Sequence, residues 1–155
     1  MKSACDGMAA IARACVSFRP LMKALSASAP TVPVMGEAAA GQRDRPLLKL
    51  KLIGGGDLDR VRAVRRAAPK AALIVDANEG WTPQQFAELA PGLAEFGVEL
   101  IEQPLPAGAD EALAELPHTI PVCADESCHT VADLDRLVGR YEAVNIKLDK
   151  SGGLT

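Results

Sequence analysis

Excess positive charge, aromatic residues and long apolar runs are all scarce in this sequence, and their scarcity excludes several classes of function. The 17 lysines and arginines are outnumbered by 20 acidic residues, giving a net charge of −3. That argues against the basic footprint of a nucleic-acid binder, and the five aromatics (one Trp, one Tyr, three Phe) add nothing to it. No apolar stretch approaches the roughly 18 residues a membrane span needs. Asp6, Arg13 and Arg19 interrupt any apolar core that a secretion signal would require. The cytoplasm is therefore the expected compartment. Four cysteines (Cys5, Cys15, Cys123 and Cys128) are too few and too irregular for a disulfide scaffold. Cys123 and Cys128 with His129 lack the second ligand pair of a zinc site, and the cysteines read as small hydrophobes. What is present is ordinary for a soluble fold. With 155 residues, 48% hydrophobic and 24% charged, the chain can build one domain with a core of its own.

From residue 46 onward one pattern recurs, a short β-rich run, a polar or glycine-containing turn and a helical stretch. Strands are predicted at 47–52, 72–76, 98–102, 120–125 and 143–147. Asp57 is placed to cap a helix whose Leu58, Val61, Val64 and Ala68 share a face, ending before Pro69. Thr82-Pro83-Gln84-Gln85 combines a capping box with proline in the first turn. It opens a helix presenting Phe86, Leu89, Leu93 and Phe96, stopped by Gly97 and threatened with a kink at Pro91. Asp110–Leu116 reads as a short helix, and Thr130 starts another that turns Leu134, Leu137 and Val138 inward. Alternating strands and helices imply right-handed βαβ units and a parallel sheet. Residues 1–41 differ. Met8, Ile11, Cys15, Phe18, Met22 and Leu25 form a helical stripe broken at Pro20. "SASAPTVPV" follows as a linker, and "GEAAAGQRD" as a short helix.

The run "LLKLKL" sets leucines 48, 50 and 52 on one face and Lys49 and Lys51 on the other. Alone this would be a wet edge strand. Yet every predicted strand finishes in or near a charged residue, in the order Lys51, Asp76, Glu102, Asp125 and Lys147, spaced 22 to 26 residues apart. That is one βα unit each, and ligands of parallel α/β folds bind at the carboxyl ends of the strands. Three adjacent carboxylates repel unless a cation lies among them, and oxygen-only ligands favour Mg²⁺. A lysine on either flank suits proton removal beside a substrate carboxylate. One lysine takes the proton, the cation stabilises the enediolate, and the other lysine returns the proton on the opposite face. Free lysine, with a pKa of about 10.4, is a poor base at neutral pH. Lys49, on the same face, is expected to tune Lys51 electrostatically.

"KLK", "VDANEGW", "IEQP", "CADES" and "NIKLDKSGG", taken in that order, closely resemble the enolase superfamily. They look most like its muconate-lactonising subgroup and, within it, the dipeptide epimerases of the L-Ala-D/L-Glu type. The resemblance implies a (β/α) TIM-type barrel, of which residues 42–155 would supply about the second to sixth strands. Residues 1–41 would be a remnant of, or replacement for, the capping domain. A whole barrel takes about 250 residues, so this chain is expected to be part of one. The resemblance makes Asp76, Glu102 and Asp125 the Mg²⁺ ligands, and Lys51 and Lys147 the two acid/base groups, with Lys150 competing for the second place. Asn78 would back the ligands if its strand extends that far. Gln103, Pro104, Glu126 and Ser127 read as rim or turn residues. The implied activity is Mg²⁺-dependent 1,1-proton transfer on a dipeptide or related carboxylate. Cycloisomerisation, o-succinylbenzoate synthesis, N-acylamino-acid racemisation and an inactive barrel fragment are the alternatives. Open sheet edges make a second copy of the chain an expected partner, with neither nucleic acid nor membrane.

Overall fold

The computed structural model describes residues 24–25 and 31–146. Six parallel strands form one sheet among these residues. They are β1 (Ala24–Leu25), β2 (Leu47–Lys51), β3 (Ala72–Asp76), β4 (Val98–Glu102), β5 (Val122–Ala124) and β6 (Ala143–Val144). Their order in the sheet is their order in the chain, and each neighbouring pair is parallel. A doubly wound sheet would reverse direction at some point. Because right-handed crossovers that never reverse put every helix on one side, this is a (β/α)-barrel wall rather than an open sandwich.

The helices are α1 (Val32–Ala40), α2 (Asp57–Ala67), α3 (Pro83–Glu95) and a single turn, α4 (Leu134–Leu137). Leu48, Leu50, Leu73, Val75, Ile101 and Val122 pack against Val61, Val64, Phe86 and Leu93 in one apolar cluster between sheet and helices. The capping box of α3 forms as its sequence specifies. The Thr82 hydroxyl accepts from Gln85 N at 3.2 Å, and the Gln85 side chain accepts from Thr82 N at 2.8 Å. The helix runs on through Pro91 to Glu95. Beside that proline, α2 and α3 come so close that a Cβ on Gly92 would lie 2.9 Å from Leu58 Cδ2.

Several elements differ from expectation. Leu25 belongs to β1, which pairs with β2, so the predicted helical stripe does not reach it. The rest of the stripe lies outside the described residues. The presumed linker becomes helical at Val32, because Pro33 in the first turn has no N–H to lose. α2 is capped by Gly56 (φ +79°), not by Asp57. Asp110–Leu116 condenses to a 3₁₀ turn at Glu111–Ala114, and the Thr130 helix to a 3₁₀ turn followed by α4. Val138, expected inward, is 53% exposed, because the chain leaves helical conformation there (ψ 127°). β5 is shorter than predicted. β6 ends at Val144, before the predicted Lys147, which lies outside the described residues. In β4 a register shift leaves Glu99 unpaired and exposed, so Val98 joins the helix-side core while Leu100 and Glu102 face the other way.

Candidate active site

The register between strands decides which side chains meet. Lys49 pairs with Ile74 and Lys51 with Asp76, while Asp76 pairs with Glu102 and Glu102 with Cys123. Asp125 lies two residues beyond Cys123, on the same face. The side of the sheet away from the helices therefore carries Lys49, Lys51, Asp76, Glu102 and Asp125. The three carboxylates are 5–6% exposed. Asn145 reaches the group from beyond β6, its Nδ2 donating to Glu102 Oε1 at 3.1 Å.

Lys49 Nζ lies 2.6 Å from Glu102 Oε2 and 3.0 Å from Asp76 Oδ2. Burial works to lower its pKa, but hydrogen bonds and charge from Glu102 and Asp76 outweigh it and hold the ammonium above its ordinary value. Burial also pushes the Glu102 carboxyl up. Lys49 pulls it back, the like charges of Asp76 and Asp125 push it further, and the net displacement is upward.

Lys51 Nζ donates to Asn78 Oδ1 at 3.2 Å. Asn78 does not extend β3 as expected. The strand stops at Asp76, and Asn78 takes a left-handed turn (φ +48°) with its N–H on Asp76 Oδ1 at 3.0 Å. It orients the lysine as well as the carboxylate. Lys147 and Lys150 lie outside the described residues. Cys123 is buried and Cys128 half-buried against the core, while His129 is exposed.

Among the described residues, no three His, Cys, Asp or Glu side chains converge closely enough to form a ready metal site. Lys49 Nζ stands between two of the carboxylates. The donor set still fits a hard divalent cation. It consists of three buried carboxylates from consecutive strand ends, with an excess of negative charge that an ammonium only partly offsets.

Buried polar groups fix the turns that follow these strands. Asp57, wholly buried, accepts from Gly54 N at 2.7 Å, Ile53 N at 3.2 Å and Trp81 Nε1 at 3.0 Å. It ties the loop after Lys51 to the loop after Asp76. Gln103 accepts from Asp125 N at 2.9 Å and Ser127 N at 3.1 Å. The sequence marks Gln103 and Ser127 as rim, support or turn residues and assigns Asn145 no role. The signal for Asn145 was there, since it stands two residues before Lys147 and the strand period gives them one face. Nothing local marked Gln103, whose side-chain partners, apart from Leu105 O, are 22 to 38 residues away.

Comparison with known proteins agrees with this geometry. The model of the family described as enolase C-terminal domain-like matches residues 34–155. An N-acetyl-D-glutamate racemase from Pseudoalteromonas is 50% identical over 125 residues, which is 81% of this chain and 40% of that protein. The L-Ala-D/L-Glu epimerase of Escherichia coli is 54% identical over 114 residues, 74% of this chain and 36% of the relative. The chain thus spans about two-fifths of the length of these relatives. An Agrobacterium tumefaciens enolase family member with homology to dipeptide epimerases, solved with sodium and L-Ala-L-Glu, superposes with a TM-score of 0.80 at 46% identity. That match covers 85% of this chain and 40% of the other.

Proposed function

The chain belongs to the enolase C-terminal domain-like family, and on that premise we propose that it carries the metal-and-lysine wall of a dipeptide epimerase of the L-Ala-D/L-Glu type. The observation that carries the reading is that Lys51, Asp76, Glu102 and Asp125 stand on one face at successive strand ends. The chain that does this is half identical to an epimerase and a racemase of glutamate derivatives. Those two named substrates share one chemistry. L-Ala-Glu and N-acetylglutamate are both glutamate acylated at nitrogen, with an α-proton beside a carboxylate.

In this reading Asp76, Glu102 and Asp125 hold Mg²⁺, which when bound supplies positive charge for the anion that develops as the α-proton leaves. Lys51, aimed by Asn78, exchanges a proton with the α-carbon from one side. Lys147 does so from the other, which makes the transfer 1,1 and inverts the centre. Lys49 bridges Asp76 and Glu102 in the absence of the cation and offsets their repulsion. The proposed setting is the cytoplasm. The proposed partners are the dipeptide and a second chain to cover the open sheet edges.

The test is incubation of the chain with Mg²⁺ and a panel of dipeptides and N-acetyl amino acids in D₂O. Deuterium should enter the α-carbon of the C-terminal glutamate of L-Ala-Glu. Exchange confined to N-acetylglutamate would favour the racemase alternative, and no exchange anywhere on the panel would refute both.

A further inference from the structure

We propose that Asp110 is a positioning residue for the carboxylate cluster: through Ser127 and Tyr141 it dictates which way the Gln103 amide faces, and so holds Asp125 in place beside Glu102. The inference rests on the metal-site reading above. Asp110, Gln103 and Ser127 are wholly buried, and Tyr141 nearly so, so each of their polar atoms must find a partner within the protein.

The direction of every proton in this group follows from the acceptor at its end. Asp110 Oδ1 is paired with Arg140 Nη1 at 2.9 Å, and Oδ2 lies 2.6 Å from Ser127 Oγ and 2.7 Å from the Tyr141 hydroxyl. Burial would raise the Asp110 pKa, but hydrogen bonds from Ser127, Tyr141 and Arg140 hold it below the ordinary value. An ionised carboxylate only accepts, so both hydroxyls, which lie 3.3 Å from each other, give their protons to the closer carboxylate oxygen and present lone pairs to a neighbour they share. That neighbour is Gln103 Nε2, 2.8 Å from Ser127 Oγ and 3.0 Å from the Tyr141 hydroxyl, with Leu105 O as a third acceptor at 2.9 Å. Only the NH₂ end of an amide can face three acceptors. The carbonyl end is therefore turned to Asp125 N and Ser127 N, where a flipped amide would set donor against donor.

The consequence lies at the site. Gln103 follows Glu102 directly and takes a left-handed conformation (φ +35°) that a non-glycine residue keeps only where its surroundings hold it. Its backbone is held as well, N–H to Cys123 O at 2.8 Å and O to Glu79 N at 2.8 Å. One side chain thus couples the turn leaving Glu102 to the turn carrying Asp125. Asp110 touches neither carboxylate and acts only by polarity.

Asp110→Asn keeps the shape but gives that position a donor as well as an acceptor, so the hydroxyls and the Gln103 amide lose their enforced direction. Two readouts on the 155-residue chain decide the matter. Mn²⁺ binding followed by electron paramagnetic resonance should weaken at least tenfold. Amide exchange of Asp125 and Ser127 should accelerate at least tenfold, with the Leu73 and Val75 amides unchanged. Gln103→Met should weaken Mn²⁺ binding as much, and adding Asp110→Asn to it should change nothing further, because the two residues act in series. Additive losses, or uniform acceleration of exchange, would reduce Asp110 to a stabilising residue and overturn the proposal. Tyr141→Phe removes one of the two hydroxyls and should give a two- to fivefold loss of affinity. It stands in if Asp110→Asn fails to fold, and unchanged binding would count against the relay. A wild-type chain that binds no Mn²⁺ refutes the metal-site reading instead, and the exchange arm then judges the relay alone.

Discussion

Alternate residues of the same short strands build two faces held by different physics. Toward the helices, Leu48, Leu50, Leu73 and Val75 are completely buried and contribute in proportion to the apolar area they remove from water. Toward the other side, Lys49, Asp76 and Glu102 are nearly as hidden, yet they contribute through two short ion pairs and leave like charges in proximity. The first face is cheap to specify, because hydrophobes of similar volume replace one another at modest cost. The second holds charge where charge is costly, which a fold tolerates when the charge does something. Substitutions on the helix side should therefore spend stability and spare chemistry, and substitutions on the other side the reverse.

The sharpest test is Lys51→Ala. Removing a positioned acid/base group should lower proton exchange into L-Ala-Glu by about 10²- to 10⁴-fold, read by the rate of deuterium incorporation. The unfolding midpoint should barely move, because among the described residues the Lys51 ammonium makes only the bond to Asn78. A large stability loss there would erase the distinction between the faces. Leu73→Ala is the mirror image. It should cost about 2–5 kcal/mol by chemical denaturation, while Mn²⁺ affinity below the transition stays at the wild-type value.

Lys49→Met falls between the two. It strips the ammonium from Asp76 and Glu102 and should destabilise the cation-free chain. The cost should fall short of the about 3–5 kcal/mol for breaking a fully buried pair, because 13% of the Lys49 side chain remains exposed. Added Mg²⁺ should recover much of that loss, since a cation answers the same charge, and thermal melts with and without Mg²⁺ would show it. If Mg²⁺ brings no recovery, the carboxylates do not share a cation.

The two faces were also unequally legible in the sequence. The leucine face follows from alternation alone, and β2, β3, β4 and the α3 cap were readable at close to their observed bounds because their determinants are local. Lys51, Asp76, Glu102 and Asp125 were legible as a set because a parallel sheet in chain order converts a regular interval into a shared rim. Gln103, Asp110 and Tyr141 were not, because a buried polar network joins residues from separate βα units and leaves no period. The β4 register shift was equally hidden. Simple alternation would set Val98 beside Glu102, and only packing shows that Val98 belongs with the core.

The smallest expected effect concerns a charge in the solvent-reached turn before α4, outside both faces, where charge is inexpensive. Asp133 accepts from Thr130 N at 2.8 Å and His129 N at 3.0 Å, which holds its carboxyl down at about 2, with the Thr130 hydroxyl and Arg136 helping. A carboxyl whose folded pKa lies below its ordinary value of 3.8 stabilises the fold fully above that value. The contribution fades as pH falls from about 4 through about 2. Asp133→Asn should therefore flatten the stability profile across that acid window. Near neutral pH it should lower the unfolding midpoint slightly, and it should leave Mn²⁺ affinity and proton exchange untouched. Solvent reaches this cap freely, so the contribution stays small. An Asp133→Asn chain with weakened cation binding would mean that the turn before α4 communicates with the Asp125 turn. The line between the two faces would then have to be redrawn through β5.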